Sequence, residues 1–318
     1  MGERRVLVIT GADDPTADLV ITELNSRGIP VLRLDPGGFP HALTVTAAFG
    51  AEGMGGRMES STGAVDVTRV RSVYWRRPSP YPAPEHLDAQ DGAWVQEQSR
   101  WGLGGVLACV PGALYVNHPW RNRDAESKPA QLAAAARCGF PIPPTLVTND
   151  PEAARAFTAE HAPVVYKPLW NSRYSAEDGT GRVIWVRPVR IEELDGSVAS
   201  AAHLFQAQID KVADIRLTAV GGRLFAVRID GAAGVDWRAD YSVLTFTPVP
   251  VPDEVASAVR SYLTEFGLVF GAFDFALRAN GGWVMLECNP NGQWAFLDPD
   301  TVRGITMALA DLLEKSCT

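Results

Sequence analysis

The feature that most restricts the fold of this chain is Asn280-Gly281, which lies between two strand-like runs, GAFDFALRA and WVMLECN. An Asn-Gly pair flanked by alternating apolar residues is the strongest short-range signal for a β-hairpin. A two-residue turn at this position would pair Ala279 with Gly282. The pairing of the two strands is then fixed along their whole length, because each further pair follows from the first.

This register puts three polar side chains on one face of the predicted hairpin. Asp274 lies opposite Glu287, and Asn289 shares their face because side chains alternate along a strand. The other face is apolar and carries Phe273, Phe275, Leu277, Val284, Leu286 and Cys288. Facing residues have Cβ atoms roughly 4.5–5.5 Å apart, and like charges at that distance repel each other. The two carboxylates therefore require a positive partner.

Two kinds of partner are compatible with this face. Asp274, Glu287 and the amide oxygen of Asn289 form an all-oxygen donor set suited to Mg²⁺. Alternatively, the carboxylates pair with arginines or face solvent. The first alternative predicts that Glu287→Gln leaves the metal-free protein as stable as before or slightly more stable, because a like-charge pair is removed. The second predicts a loss of stability.

Composition narrows the class of protein. The chain has 318 residues, of which 46% are hydrophobic and 21% charged, and this is typical of a globular protein. A net charge of −8 without a basic stripe argues against nucleic-acid binding. The N-terminal apolar run is too short for a signal peptide or a membrane helix. Four scattered cysteines without a CxxC pair argue against zinc and disulfides and favour a cytoplasmic location.

The chain divides into three predicted units. Residues 1–118 begin with strand, helix and strand, which indicates a parallel α/β sheet. Residues 119–204 contain an alanine-rich helix and an apolar strand, PVVYKPL, and residues 205–318 contain two hairpins and two helices. The last two units are typical of α+β structure. A polar stretch, 170–182, is expected to be a mobile loop.

Several charged residues outside the hairpin are candidates for an anion site. Lys167 interrupts an apolar strand, where an ammonium group costs several kcal/mol without an anionic partner. It could instead reach water at the strand end. Lys128 taken alone is a surface lysine, and Arg216 and Arg238, each near an acidic residue, are by default salt-bridged. Taken together, these cations and the carboxylate hairpin suit a triphosphate with Mg²⁺.

The order of these motifs along the chain resembles that of the ATP-grasp superfamily, and the resemblance extends over essentially the whole chain. The resemblance implies an N-terminal pre-ATP-grasp α/β domain followed by two α+β subdomains that enclose ATP. It also implies a role for each matching residue. Lys128 and Lys167 would contact the phosphates, and the segment around Gln206, Gln208 and Ile209 would form the adenine hinge. Asp214, Arg216 and Arg238 would make ribose, phosphate and acyl-phosphate contacts, and Asp274, Glu287 and Asn289 would form a magnesium triad.

Within the superfamily the chain is most similar to the maturases of graspetides, the microviridin-type crosslinked peptides, and particularly to an actinobacterial branch. The similarity lies in TGADDPTAD, RLDPGGFP, VYWRRP, VNHPWRNRDAESKPAQL, the DWR motif and ECNPNGQW. Two positions depart from the family pattern: Ala207 stands where many ATP-grasp enzymes have glutamate, and the loop 170–182 is poor in glycine. The first departure affects the expected ribose contacts, and the second affects the loop that is expected to cover the phosphates.

The resemblance implies that a carboxylate of a precursor peptide, which has a leader and a core, becomes an acyl phosphate. A Ser, Thr or Lys side chain then displaces phosphate and closes an ester or amide ring. Arg216 and Arg238 would be catalytic, Asp236 is a candidate base or an ion-pair partner, and a homodimer is expected. Two alternatives stay open: a RimK-like ligase that adds an amino acid to a peptide or protein terminus, and an ATP-binding regulator without turnover.

Overall fold

The computed structural model describes residues 4–170, 174–175, 181–182, 184–232 and 234–315. The predicted loop 170–182 therefore lies largely outside the described residues. The α-helices are α1 (Pro15–Ser26), α2 (Ala89–Ala108), α3 (Pro119–Ala125), α4 (Lys128–Arg137), α5 (Pro151–His161), α6 (Asp253–Phe266) and α7 (Pro299–Leu313).

The strands are β1 (Arg5–Ile9), β2 (Val31–Leu34), β3 (Leu43–Gly50), β4 (Gly53–Ser60), β5 (Gly63–Asp66), β6 (Val70–Trp75), β7 (Leu114–Val116), β8 (Thr145–Thr148), β9 (Val164–Lys167), β10 (Tyr174–Ser175), β11 (Gly181–Arg182), β12 (Arg187–Val189), β13 (His203–Ala207), β14 (Ala213–Val220), β15 (Arg223–Asp230), β16 (Thr245–Val249), β17 (Phe270–Leu277) and β18 (Trp283–Asn289).

The N-terminal sheet is parallel, in the order β2-β1-β6-β7, as the strand-helix-strand start predicts. Helix α1 begins after Asp14, whose carboxylate accepts hydrogen bonds from the backbone N–H groups of Thr16 and Ala17, both at 3.2 Å. It is followed by Gly28, whose φ of 72° favours glycine. A separate antiparallel sheet, β3-β4-β5, packs its apolar side chains against the N-terminal sheet and α2.

Two antiparallel sheets follow. The central sheet has the order β12-β9-β13-β8 and extends to Ala207, and the C-terminal sheet has the order β16-β15-β14-β17-β18. The predicted turn at Gly221-Gly222 is confirmed, because Val220 pairs directly with Arg223. The predicted helix over 253–266 is also confirmed. The unit boundaries at 118 and 204 stay predictions.

The carboxylate hairpin, β17–β18, keeps the predicted pairing at its functional end but not at its turn. The turn has three residues: the backbone N–H of Arg278 donates to the carbonyl of Gly282 at 2.9 Å, so the predicted pairing of Ala279 with Gly282 is wrong. The physical reason is that Gly281 adopts a φ of 84°, the left-handed residue that closes a three-residue loop. A β-bulge at Leu286 then restores the register.

Because of this bulge, Asp274 does pair with Glu287, and Ala272 with Asn289. Between the bulge and the turn, however, the two faces of β18 are exchanged. Trp283 and Met285 pack with Phe273 and Phe275 in the core, rather than the predicted Val284 and Leu286. Cys288, beyond the bulge, lies in this core as predicted.

The N-terminal sheet and the C-terminal sheet share one apolar core. Its buried members include side chains from β1, α1, β7, β14, β17 and α7: Val6, Val8, Leu24, Val116, Val220, Phe270, Ile305 and Leu309. Asn117 joins the same two parts: its side chain accepts hydrogen bonds from the N–H groups of Val269 and Phe270 and donates to the carbonyls of Phe270 and Pro290. Across the described residues, no helix has the length and apolar character needed to cross a membrane.

Candidate nucleotide and metal site

The cleft between the central and the C-terminal sheet brings the predicted phosphate-binding residues together. Lys128 is the first residue of α4, and Lys167 is the last residue of β9. Both line one cavity with Arg238 and Glu287. Side chains from distant parts of the chain, Lys128 and Glu287 among them, thus line a single, mostly cationic cavity.

Lys167 is buried, with only 8% of its surface exposed. Burial lowers the pKa of its ammonium group, and the neighbouring Lys128 and Arg238 lower it further, while Glu287 opposes the shift. Within the described part of the chain no carboxylate lies within ion-pair distance of its Nζ. A buried ammonium without an ion pair is costly, and a bound anion would offset that cost.

Asp274 pairs with Arg216. The Nη1 of Arg216 donates to Oδ2 of Asp274 at 2.9 Å, and its Nη2 donates to the carbonyl of Gln293 at 2.9 Å. Burial raises the pKa of Asp274, Glu287 raises it further, and Arg216 offsets the shift only in part. The other carboxylate oxygen, Oδ1, is buried without a hydrogen-bond partner.

Glu287 pairs with the second arginine, Arg238, at 3.2 Å. Burial alone would raise the pKa of Glu287, but Arg238, Lys167 and Lys128 lower it to about 2. Arg238 also pairs with Asp236, whose Oδ1 and Oδ2 accept hydrogen bonds from the Nε and Nη2 of Arg238 at 2.8 and 3.0 Å. Asp236 is therefore an ion-pair partner in this structure, one of the two roles that the sequence left open.

Both kinds of partner considered for the carboxylates are compatible with these contacts. In the protein alone, arginines neutralise both Asp274 and Glu287. A metal ion would nevertheless fit the same face, because Oδ1 of Asp274 is a buried oxygen without a donor. The amide oxygen of Asn289 accepts one hydrogen bond, from the N–H of Asn291 at 2.9 Å, and retains a second lone pair.

The remaining predicted residues lie around this cleft with other partners. Asp214 is buried and bonded to Lys211 at 2.7 Å. In the predicted hinge, the side chain of Gln206 donates to Thr145 at 2.9 Å, and the backbone N–H of Gln208 donates to the carbonyl of Pro163 at 2.8 Å. Gln208 is exposed and Ile209 is half-buried. Adenine and ribose contacts of these residues stay predictions.

Two residues of the site were missed from sequence. Leu286 was predicted in the core, but the bulge turns it toward a cavity that it shares with Lys128, Lys167 and Gln206. Gln131 is buried on α4, accepts from the N–H of Cys288 at 3.0 Å and donates to its carbonyl at 2.8 Å. A glutamine within an alanine-rich helix is a signal that could have identified the second residue.

A large groove of about 870 Å³ adjoins the cleft, and Lys128 lines both. Its walls are rich in aromatic and cationic side chains, with a nearby acid: Trp75, Tyr81, Arg100, Trp101, Trp120, Arg123, Glu126 and Trp170. Trp101, Trp120 and Trp170 expose 66%, 54% and 64% of their surface. A groove of this size beside the cleft can hold several residues of an extended peptide.

Comparisons with known proteins agree with this geometry. Residues 5–123 match the family model of the MvdD pre-ATP grasp domain. No curated protein sequence matches the chain. A solved structure of a Chryseobacterium gregarium RiPP-associated ATP-grasp ligase, in complex with ADP and a leader and core peptide, is 27% identical with a TM-score of 0.88, and the match covers 98% of this chain and 96% of that chain.

Two further solved structures come from Microcystis aeruginosa MRC. The macrocyclase MdnC, bound with precursor peptide MdnA, is 27% identical with a TM-score of 0.86, over 97% of this chain and 99% of that chain. The macrocyclase MdnB is 29% identical with a TM-score of 0.83, over 98% of this chain and 99% of that chain. The three likenesses extend over both the cleft and the groove.

Proposed function

We propose that this chain, which belongs to the ATP-grasp ligases of graspetide maturation, closes side-chain rings in a ribosomal precursor peptide and consumes one ATP for each bond. The observation that carries this function is the convergence of Lys128, Lys167 and Arg238 on the two carboxylates Asp274 and Glu287. This cleft opens toward a groove large enough for a peptide.

ATP is proposed to lie between the central and C-terminal sheets. Lys128 and Lys167 would hold the phosphates, and Leu286 would contact the nucleotide on the apolar side of the cavity. Asp274, Glu287 and Asn289 would hold Mg²⁺, which, when bound, neutralises charge on the phosphates. The proposed adenine hinge is the segment of Gln206, Gln208 and Ile209.

The reaction proceeds in two displacements. A peptide carboxylate oxygen attacks the γ-phosphorus, the bond to the β,γ-bridging oxygen breaks, and ADP leaves. A hydroxyl or amine of the same peptide then attacks the acyl carbon, loses its proton, and expels phosphate. The groups of the protein act mainly by position and charge, as in other phosphoryl transfers.

Arg216 and Arg238 are proposed to have different roles in this reaction. The side chain of Arg238 is 36% exposed toward the cleft and can reach a phosphate or acyl phosphate. Arg216 is buried, and both of its Nη atoms are engaged. We therefore assign Arg216 to positioning Asp274 and the chain at Gln293, and Arg238 to direct contact. Asp214, bonded to Lys211, is proposed to orient the adjoining strand end toward the ribose.

The test requires the precursor peptide, which we expect to be encoded by a short reading frame beside the gene and to be rich in Thr or Ser and in Asp or Glu. This peptide, incubated with the protein, ATP and Mg²⁺, is expected to lose one water per ring by mass spectrometry, with one ADP formed per loss. Arg238→Met is expected to abolish both. A gain of mass by an added amino acid would favour the RimK-like alternative, and the absence of peptide-dependent ADP would favour the regulator. The homodimer is proposed as well, and light scattering measures it.

A further inference from the structure

Two consecutive arginines after β6 have different surroundings. Arg76 is buried, with 2% of its surface exposed, and its Nη atoms donate to the carbonyl of Asn291 and to the side chain of Gln293. Its Nε lies 3.7 Å from Asp14. Arg76 therefore joins the N-terminal sheet to the loop that follows the carboxylate hairpin, and its charge is already compensated.

Arg77 is exposed and has no carboxylate within ion-pair distance among the described residues. Its main chain is fixed, because its carbonyl accepts a hydrogen bond from the N–H of Gly11 at 2.9 Å. Burial of part of its side chain lowers the pKa of its guanidinium, Arg76 and Arg216 lower it further, and Asp14 opposes the shift. Arg77 is thus held close to two other arginines.

Arg77 lines a groove of about 660 Å³ that shares several walls with the large groove beside the cleft. Trp75 and Trp170 supply apolar walls, and Asn289, the last residue of the proposed metal set, lines the same space. Glu126 also lines the groove; burial raises the pKa of its carboxyl, and the neighbouring Lys128 opposes the shift.

We propose that Arg77 binds a carboxylate of the peptide substrate in this groove, beside Asn289. This inference rests on the proposed function and deepens it by assigning the residue that recognises the acid. A planar guanidinium can form two parallel hydrogen bonds with one carboxylate, and indole walls accommodate a peptide backbone. A carboxylate bound there lies next to the end of the hairpin where phosphoryl transfer is proposed.

Fluorescence anisotropy with two labelled synthetic peptides tests the assignment. One alternates Thr and Glu, the other alternates Thr and Gln, and each is titrated to millimolar concentration into full-length protein saturated with ADP and Mg²⁺. Wild type is expected to bind the acidic peptide about tenfold or more tightly, which corresponds to one charge-assisted hydrogen-bonded pair. Arg77→Gln should lose most of this preference.

Arg57→Gln is the matched control, since Arg57 is an exposed arginine on β4 that pairs with Glu59. It should retain the preference of wild type. Equal binding of the two peptides to wild type, no binding of either, or an undiminished preference in Arg77→Gln would each overturn the proposal. A loss of ADP affinity in Arg77→Gln would place this side chain at the nucleotide instead. The ADP titration of wild type reports on the proposed function independently, because ADP binds without the peptide.

Discussion

Seven charged side chains surround the carboxylate hairpin. Four are cations, Lys128, Lys167, Arg216 and Arg238, and three are anions, Asp236, Asp274 and Glu287. Arg216 pairs with Asp274, and Arg238 pairs with both Glu287 and Asp236, so the two lysines are the cations of this site without an ion pair among the described residues. The site is therefore assembled with one positive charge in excess, and this favours a polyanion over an empty cleft.

Lys167→Met is expected to abolish ADP formation and the rise of the melting temperature on adding ADP and Mg²⁺. The ligand-free melting temperature should stay the same or rise, because the replaced ammonium is buried without an ion pair. Lys211→Met is the control: it leaves the buried carboxylate of Asp214 unpaired and should lower the ligand-free melting temperature. A Lys167→Met protein that turns over ATP normally would contradict the phosphate role.

Glu287→Gln is expected to destabilise the ligand-free protein by roughly 1–3 kcal/mol at neutral pH, because Arg238 loses one of its two charged hydrogen-bond partners and keeps only Asp236. The sequence-based expectation of equal or greater stability considered only repulsion from Asp274, and the structure shows that neighbouring cations outweigh it. Chemical unfolding measures the difference. Glu59→Gln, which removes an exposed ion pair, should change the free energy of unfolding much less.

The same substitution predicts a pH dependence. The pKa of Glu287 falls from 4.5 to about 2 on folding, so its contribution to stability is fully present above the unfolded value. It is lost as the pH falls through the folded value. The stability difference between wild type and Glu287→Gln should therefore be constant above about pH 5 and shrink toward pH 2. A difference that grows on acidification would contradict this assignment.

Among the elements, the hairpin β17–β18 positions most of the site. Its alternation and its Asn-Gly turn predicted correctly which carboxylates face each other, but only because a bulge compensates for a turn that is one residue longer than predicted. The bulge at Leu286 could not be predicted, because Leu286 and Met285 are both apolar and either can fill a core position. The choice depends on packing against Phe273 and Phe275, which is a property of the folded sheet.

Leu286→Ala tests the consequence of the bulge. Because Leu286 lines the nucleotide cavity, its truncation should weaken ADP binding by roughly 5- to 30-fold, equivalent to about 1–2 kcal/mol of lost apolar contact. Calorimetric titration measures the affinity. Leu312→Ala removes a half-buried leucine of α7 instead, so it should lower stability and leave the affinity for ADP unchanged. Equal effects of the two variants on affinity would contradict the placement of Leu286.

The charged partners illustrate what the sequence could and could not predict. Arg216 and Arg238 were expected near acids, and both are. Arg216 pairs with Asp274 on the neighbouring strand, and Arg238 pairs with Asp236, two residues earlier in the chain. Arg76 and Arg77 are adjacent and chemically identical, and no local pattern distinguishes them. Their different environments arise because Asn291 and Gln293, more than 200 positions away, pack against only one of them.

For the whole molecule, the shared core between the N-terminal and C-terminal sheets makes the first unit dependent on the last. Asn117 is 1% exposed and satisfies backbone groups at Val269, Phe270 and Pro290. A family model that ends near residue 123 therefore describes a sequence unit whose core is completed by residues far beyond it.

Asn117→Ala is expected to lower the free energy of unfolding by roughly 3 kcal/mol or more, because it leaves buried N–H and carbonyl groups without partners. Circular dichroism in denaturant should show one transition for wild type, since both sheets share a core. Asn25→Ala, at an exposed position of α1, should have little effect. An early separate transition of the N-terminal sheet in wild type would contradict the shared core.

The tryptophans around the groove also determine how the protein emits light. Of its nine tryptophans, five are more than half exposed: Trp94, Trp101, Trp120, Trp170 and Trp185. Their indoles are already hydrated in the folded state, so a shift of the emission maximum on unfolding should come mainly from the buried Trp237, Trp283 and Trp294. Filling the groove or the nucleotide cavity would instead remove water from Trp101, Trp120, Trp170 or Trp185 and shift the emission to shorter wavelength. The unlabelled protein thus reports optically on its ligands and on its unfolding through two different sets of tryptophans, and the two signals have opposite signs.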